Sequence, residues 1–178
     1  MDANNGTISV TAGGAITATD VATASDNDVS LTTTSGDITG LALVNAGSGS
    51  VSLTSASAIV DDGTASTVIT AGALTADAAG AMTLDTSVDS TDLSTSAAGS
   101  ISVDETDAIT LTDVDTSNGA ITITAGGAIT ATDVASSTDS DANDITLTGV
   151  GIAVTKIDSG STAGDVVLDA GTGAITQD

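Results

Sequence analysis

Cysteine, histidine, proline, phenylalanine, tyrosine and tryptophan are all absent from this chain of 178 residues. Without cysteine there is no disulfide, no thiolate metal site and no cysteine nucleophile. Without histidine the commonest general base and transition-metal ligand is gone. Lys156 is the single basic residue against 24 acidic ones, a formal charge of -23. One cation cannot neutralise a phosphate backbone, which excludes nucleic acid as a partner. No uninterrupted apolar run is long enough for a transmembrane helix, and the aromatic girdles of an outer-membrane barrel are missing. Met1 leads into DANNG, with neither a basic n-region nor an apolar h-region, so the sequence predicts no signal peptide at this end.

A core without aromatic rings loses the residues that normally bury the most area. The chain is nevertheless too apolar for a solvated coil: mean hydropathy is +0.34 and only 14% of residues are charged. Its apolar residues are also ordered. A five-residue phrase returns through the chain as TISVT (7–11), DVSLT (28–32), SVSLT (50–54), AMTLD (81–85), SISVD (100–104), AITIT (120–124), DITLT (144–148) and DVVLD (165–169). A looser copy, TVITA, starts at Thr67. Alternation of this kind puts Ile8 with Val10, or Ile121 with Ile123, on one face of a strand. A second short strand follows each phrase: AITAT (15–19), DITGL (37–41), SAIVD (57–61), DAITL (107–111), AITAT (128–132) and GIAVT (151–155). Gly, Asn, Asp and Ser fill the corners between them.

Residues 6–22 (GTISVTAGGAITATDVA) and 119–135 (GAITITAGGAITATDVA) are nearly the same text. That is duplication of a structural unit. A spacing of two, with Thr, Val, Ile and Gly prevailing, rejects helix. What remains is an all-β fold, a single-stranded parallel β-helix or β-solenoid running through residues 1–178 as one domain. About nine coils of roughly 20 residues are expected, giving a rod of roughly 43 Å. A narrow interior of Ile, Val, Leu and Ala ladders explains the missing aromatics. The register between residues 55 and 100 is the least regular and calls for a bulge, a loop or a narrower coil.

Thr and Ser at the alternate positions are expected outside. Acids gather near the corners: Asp20, Asp26 and Asp28; Asp61 and Asp62; Asp104, Glu105 and Asp107; Asp139, Asp141 and Asp144. Such a surface repels itself and keeps a β-rod soluble. Asp113 and Asp133 each follow an AIT-x-T strand, so coils in register put these two carboxylates one coil apart. Stacked carboxylates invite a cation between them, and oxygen ligands favour Ca²⁺. The GGxGxDxUx repeat of calcium-loaded β-rolls is not found.

Reading the last residues into the first gives GAITQD then MDANNGTISVTAGGAITATDV, which parallels DAITLTDVDTSNGAITITAGGAITATDV at 107–134 with one residue missing. The sequence therefore predicts a segment of a longer solenoid, or a protomer that stacks end to end through open strand edges.

Phrases such as GAITITAGGAITATDV and GDITGLALVNAGSGSVSLTS resemble the repeats of bacterial surface β-solenoid proteins. These are the filamentous-haemagglutinin-like adhesins, secreted by the two-partner route, and giant β-strand-repeat proteins. The resemblance implies a right-handed parallel β-helix exported to the cell surface and serving as adhesin, biofilm component or fibre. Its partners would be neighbouring repeats or copies of itself, and a host or matrix surface. It carries over no binding residue. Two other functions have partial support in the sequence. An ice-binding solenoid is suggested by T-x-T triplets at Thr17 and Thr19, Thr110 and Thr112, Thr122 and Thr124, Thr130 and Thr132, and Thr146 and Thr148. A polysaccharide-acting enzyme would use paired acids such as Asp61 and Asp62, yet no aromatic platform, Arg or His accompanies them.

Overall fold

The computed structural model describes residues 1–24, 26–65 and 68–177. The start of the TVITA phrase at Thr67 lies outside these. Among the described residues there is no helix, and every strand pairing is parallel. The chain is a β-solenoid of about 8 turns with about 21 residues per turn.

Two ladders of inward aliphatic side chains run the length of the rod. On the first wall, Val10, Leu31, Leu53, Ala76, Leu93, Val114, Val134 and Ile157 are register partners turn after turn. On the second wall the succession is Ile16, Ile38, Ile59, Met82, Ile101, Ile121, Ile145 and Val166. Each ladder has eight rungs, so the rod measures roughly 34 Å at the ~4.8 Å spacing of paired strands. The third wall starts as Val21, Val44 and Ile69, and the register of Ile69 then passes to Thr86, Glu105 and Ala125 at the ends of second-wall strands. In the C-terminal half a ladder of Ile109, Ile129, Ile152 and Ile175 forms the third wall.

The count of eight turns, where nine phrase returns suggested nine coils, has a physical cause. SVSLT (50–54) lies on the first wall, where Leu53 faces Ala76, whereas AMTLD (81–85) lies on the second, where Met82 faces Ile59. The same phrase serves different walls, so its returns overcount the turns. The switch happens in the irregular stretch, within its described strands. Ile69–Ala78 and Met82–Ala98 are strands of 10 and 17 residues that bend through corners without interruption. Here the coil narrows: only 17 residues separate Leu74 from its partner Thr91. The expected bulge is present at Thr91/Asp92, where Thr112 becomes the extra residue on the facing strand.

The duplicated blocks keep their local form but not their place. Residues 8–12, 16–17 and 21–23 occupy the first, second and third walls; their counterparts 121–125, 129–131 and 134–136 occupy the second, third and first. The second copy is therefore turned by one wall about the rod axis.

Hydroxyl side chains continue the inward alternation into the corner after the first wall. Thr33, Ser55, Thr95, Thr116, Ser136 and Ser159 are all buried. Five of them donate to a carbonyl just ahead, as in Thr33 to Gly36 O at 2.7 Å, Thr116 to Gly119 O at 2.7 Å and Ser159 to Gly164 O at 2.7 Å, whereas Ser136 donates back to Gly119 O of the preceding coil at 3.1 Å. The hydroxyl satisfies a buried carbonyl at the bend that no strand partner reaches.

Candidate functional site

The outer face of the first wall carries the strongest concentration of charge. One outward column reads Ser9, Ser30, Ser52, Thr75, Asp92 and Asp113. The register of Val114, Val134 and Ile157 extends it through Asp133 to Lys156. The column beside it reads Thr11, Thr32, Thr54, Asp77, Ser94, Asp115, Ala135 and Asp158. The wall is thus hydroxylic over its N-terminal half and acidic over its C-terminal half.

Asp113 and Asp133 do lie one turn apart, and the Val114 N–H donates to Asp133 O at 3.0 Å. The cation beside them belongs to the chain itself. Lys156 Nζ meets Asp133 Oδ1 at 2.8 Å and Oδ2 at 2.9 Å, both side chains partly open to solvent. The Asp133 contact raises the lysine above its ordinary value. Among the described residues no group of three or more acidic side chains is placed to hold a metal ion. The remaining carboxylates repel one another. Partial desolvation, then Asp113 and Asp77, raise Asp92; desolvation, then Asp113 and Asp133, raise Asp115 against the opposing pull of Lys156.

The corner acids act differently from one another. Asp26 accepts from the Ser48 N–H and Asp28 from the Ser50 N–H, both at 2.9 Å; Asp144 accepts from the Asp165 N–H at 2.9 Å. Each bond ties one coil to the next. Asp139 gathers four donors from the following corner: the Thr162 hydroxyl at 2.6 Å, the Ala163 N–H at 2.8 Å, the Thr162 N–H at 3.1 Å and the Ser161 hydroxyl at 3.1 Å. These donors, the Thr162 hydroxyl foremost, hold Asp139 far below the usual carboxylate range. Asp61 and Asp62 cap their own turn, accepting from the Gly63 and Thr64 N–H groups at 2.9 Å.

Glu105, grouped with the corner acids on sequence grounds, is the exception. It is the only glutamate of the chain and is 2% exposed, facing inward at the end of the second-wall strand Ile101–Glu105. Its Oε2 accepts from the Thr86 hydroxyl at 2.8 Å and the Val88 N–H at 3.1 Å, and its Oε1 from the Asp107 N–H at 3.2 Å. Desolvation outweighs these donors and raises its pKa. A depression of about 360 Å³ opens beside it, lined by Asp85, Asp104, Thr106 and Thr124. Its alternation with Ile101 and Val103 was the signal for burial, masked by its charge.

The T-x-T triplets do not form one array. Thr122 and Thr124 stack on Thr146 and Thr148 on the second wall, while Thr110 and Thr130 pair on the third. Comparisons with protein-family models, curated proteins and solved structures returned no match. The fold itself is that of a parallel β-solenoid repeat protein.

Proposed function

We propose that this chain is a structural rod of the extracellular or cell-surface kind, a spacer whose outer walls present hydroxyl and carboxylate columns for adhesion. The observation that carries this reading is the pair of eight-rung aliphatic ladders, which turn nearly the whole chain into length. The bundled acids of the first wall and the hydroxyls beside them form a repeating surface, not a converging one. Paired acids suited to hydrolysis are engaged as turn caps at Asp61 and Asp62, which favours a rod over an enzyme. Dispersal of the T-x-T triplets over the walls favours it over an ice-binding plane. The adhesin-like family is supported by the repeat phrase and the fold together. Energy transfer between dyes on Thr11→Cys and Asp158→Cys, the first and last positions of one outer column, tests the rod. A separation of roughly 34 Å is expected; ends that meet would overturn it.

A further inference from the structure

Three glycines of the N-terminal block have no structural reason inside the molecule. A Cβ on Gly6, Gly13 or Gly14 would meet nothing within 4 Å. Their duplicates are tightly constrained: a Cβ on Gly119 would lie 2.2 Å from Gly99 O, one on Gly126 2.2 Å from Thr106 O, and one on Gly127 2.6 Å from Ala108 N. In the interior copy, glycine is required because the coil below presses its backbone against the corner. None of the three N-terminal glycines has a positive φ. Their composition fits a corner with another coil beneath it.

The opposite edge offers such a coil. Val166 is 44% exposed and Ile175 54%, although both end inward ladders. Met1, on the N-terminal edge, is 63% exposed. Arc lengths between inward positions decide how the edges fit. On the N-terminal edge, eight residues lead from Ile8 to Ile16 and five from Ile16 to Val21. On the C-terminal edge, five lead from Ile152 to Ile157, nine from Ile157 to Val166 and nine from Val166 to Ile175. Only one of the three rotations matches short arc to short arc. It is the rotation by one wall that already relates the two duplicated blocks.

We propose that the C-terminal edge docks the N-terminal edge of a second copy of this chain, turned by one wall, with Ile8 over Val166, Val10 over Leu168 and Ile16 over Ile175. This rests on the rod reading above. The contact extends the ladders with aliphatic on aliphatic, and it pairs the open backbone groups of both edges as a new parallel turn. The net charge of -23 opposes association, so high salt favours it.

The register predicts which outer residues meet. Thr11 of one copy lies over Asp169 of the next, about 4.8 Å away along the stack, within reach of a disulfide. Without rotation, Thr11 would lie over Asp158 instead, the next position of its own column. The chain has no cysteine, so Thr11→Cys can be mixed with either Asp169→Cys or Asp158→Cys in about 1 M salt and oxidised mildly. A cross-linked dimer from the Asp169→Cys mixture alone is expected. A dimer from the Asp158→Cys mixture instead would overturn the rotation. Gly13→Val supplies the second arm: its melting temperature should match the parent, while concentration-dependent association seen by sedimentation is lost. Absence of any cross-link from chains whose two ends stay roughly 34 Å apart would overturn the docking and leave the rod standing; ends that meet would overturn the rod itself.

Discussion

Glu105 is held by three donors that suit a carboxylate, yet it is cut off from water where its neighbours on the ladder are Thr86 and Ala125. Burial penalises its charged form more than those donors favour it, so its pKa is raised in the fold. A carboxyl raised on folding contributes stability that is complete below its unfolded pKa and is lost as pH climbs through the folded one. Asp85, raised by desolvation and then by Asp61, Asp104 and Asp62, acts in the same direction, as do Asp92 and Asp115. Asp139 and Asp37 act oppositely: held low by the Thr162 and Ser57 hydroxyls, they lose their contribution as pH falls below their unfolded value of 3.8. The melting temperature should therefore rise as pH is lowered from 7 towards 4.5, then fall in stronger acid. Glu105→Gln should flatten the upper part of that curve, as read by thermal melts at constant ionic strength. The buried hydroxyls supply a second case. Thr116→Val removes the bond to Gly119 O and should cost about 1–3 kcal/mol in chemical denaturation, since the carbonyl loses its strongest partner. Thr122→Val, on the exposed side, should stay within about 0.5 kcal/mol of the parent.

Strands here are defined by alternation, and alternation is what made them readable. Ile8 with Val10, Val29 with Leu31, and Ile121 with Ile123 all face inward as their spacing required, and no aromatic ring interrupts them. The same rule carried two residues further would have placed Thr33, Ser55, Thr116 and Glu105 inside. Their polarity spoke for the surface; a carbonyl left over at the bend accounts for the burial of the three hydroxyls, and the Thr86, Val88 and Asp107 donors for that of Glu105. The stacked pair Asp113 and Asp133 was legible because AIT-x-T precedes both; Lys156 was not, since its place depends on the 23-residue step from Asp133 across a longer coil. The change of wall was also hidden, because one phrase fits every wall and only the unbroken strands at 69–78 and 82–98 effect the shift. Corner glycines tie elements together: Gly80, Gly99 and Gly119 follow one another so closely that a Cβ on Gly99 would lie 2.5 Å from Gly80 C. Gly119→Ala should lower stability by about 1–3 kcal/mol through displaced backbone. Leu93→Ala, which opens a gap in the first-wall ladder, should cost about 2–5 kcal/mol.

The whole molecule balances a thin aliphatic core against a charge of -23. Coil-to-coil bonds at Asp26, Asp28, Asp139 and Asp144 turn part of that charge to structural use, and the acidic half of the first wall keeps the remainder as repulsion. Raising the salt from about 0.01 M to about 1 M shortens the Debye length from about 30 Å to about 3 Å, so the melting temperature should climb steadily over that range. A melt insensitive to salt would mean that the acids of successive turns are farther apart than the stacked register puts them. The central claim is that register: one turn of the chain returns each outward residue to the column it left. It is tested most directly by intrachain disulfide formation in the cysteine-free background. Thr122→Cys with Thr146→Cys joins direct partners on successive turns of the second wall. That pair should close rapidly within single molecules, ahead of the diagonal pair Thr122→Cys with Thr148→Cys. Equal closure of the two pairs, or none in a folded chain, would contradict the stacked-coil account.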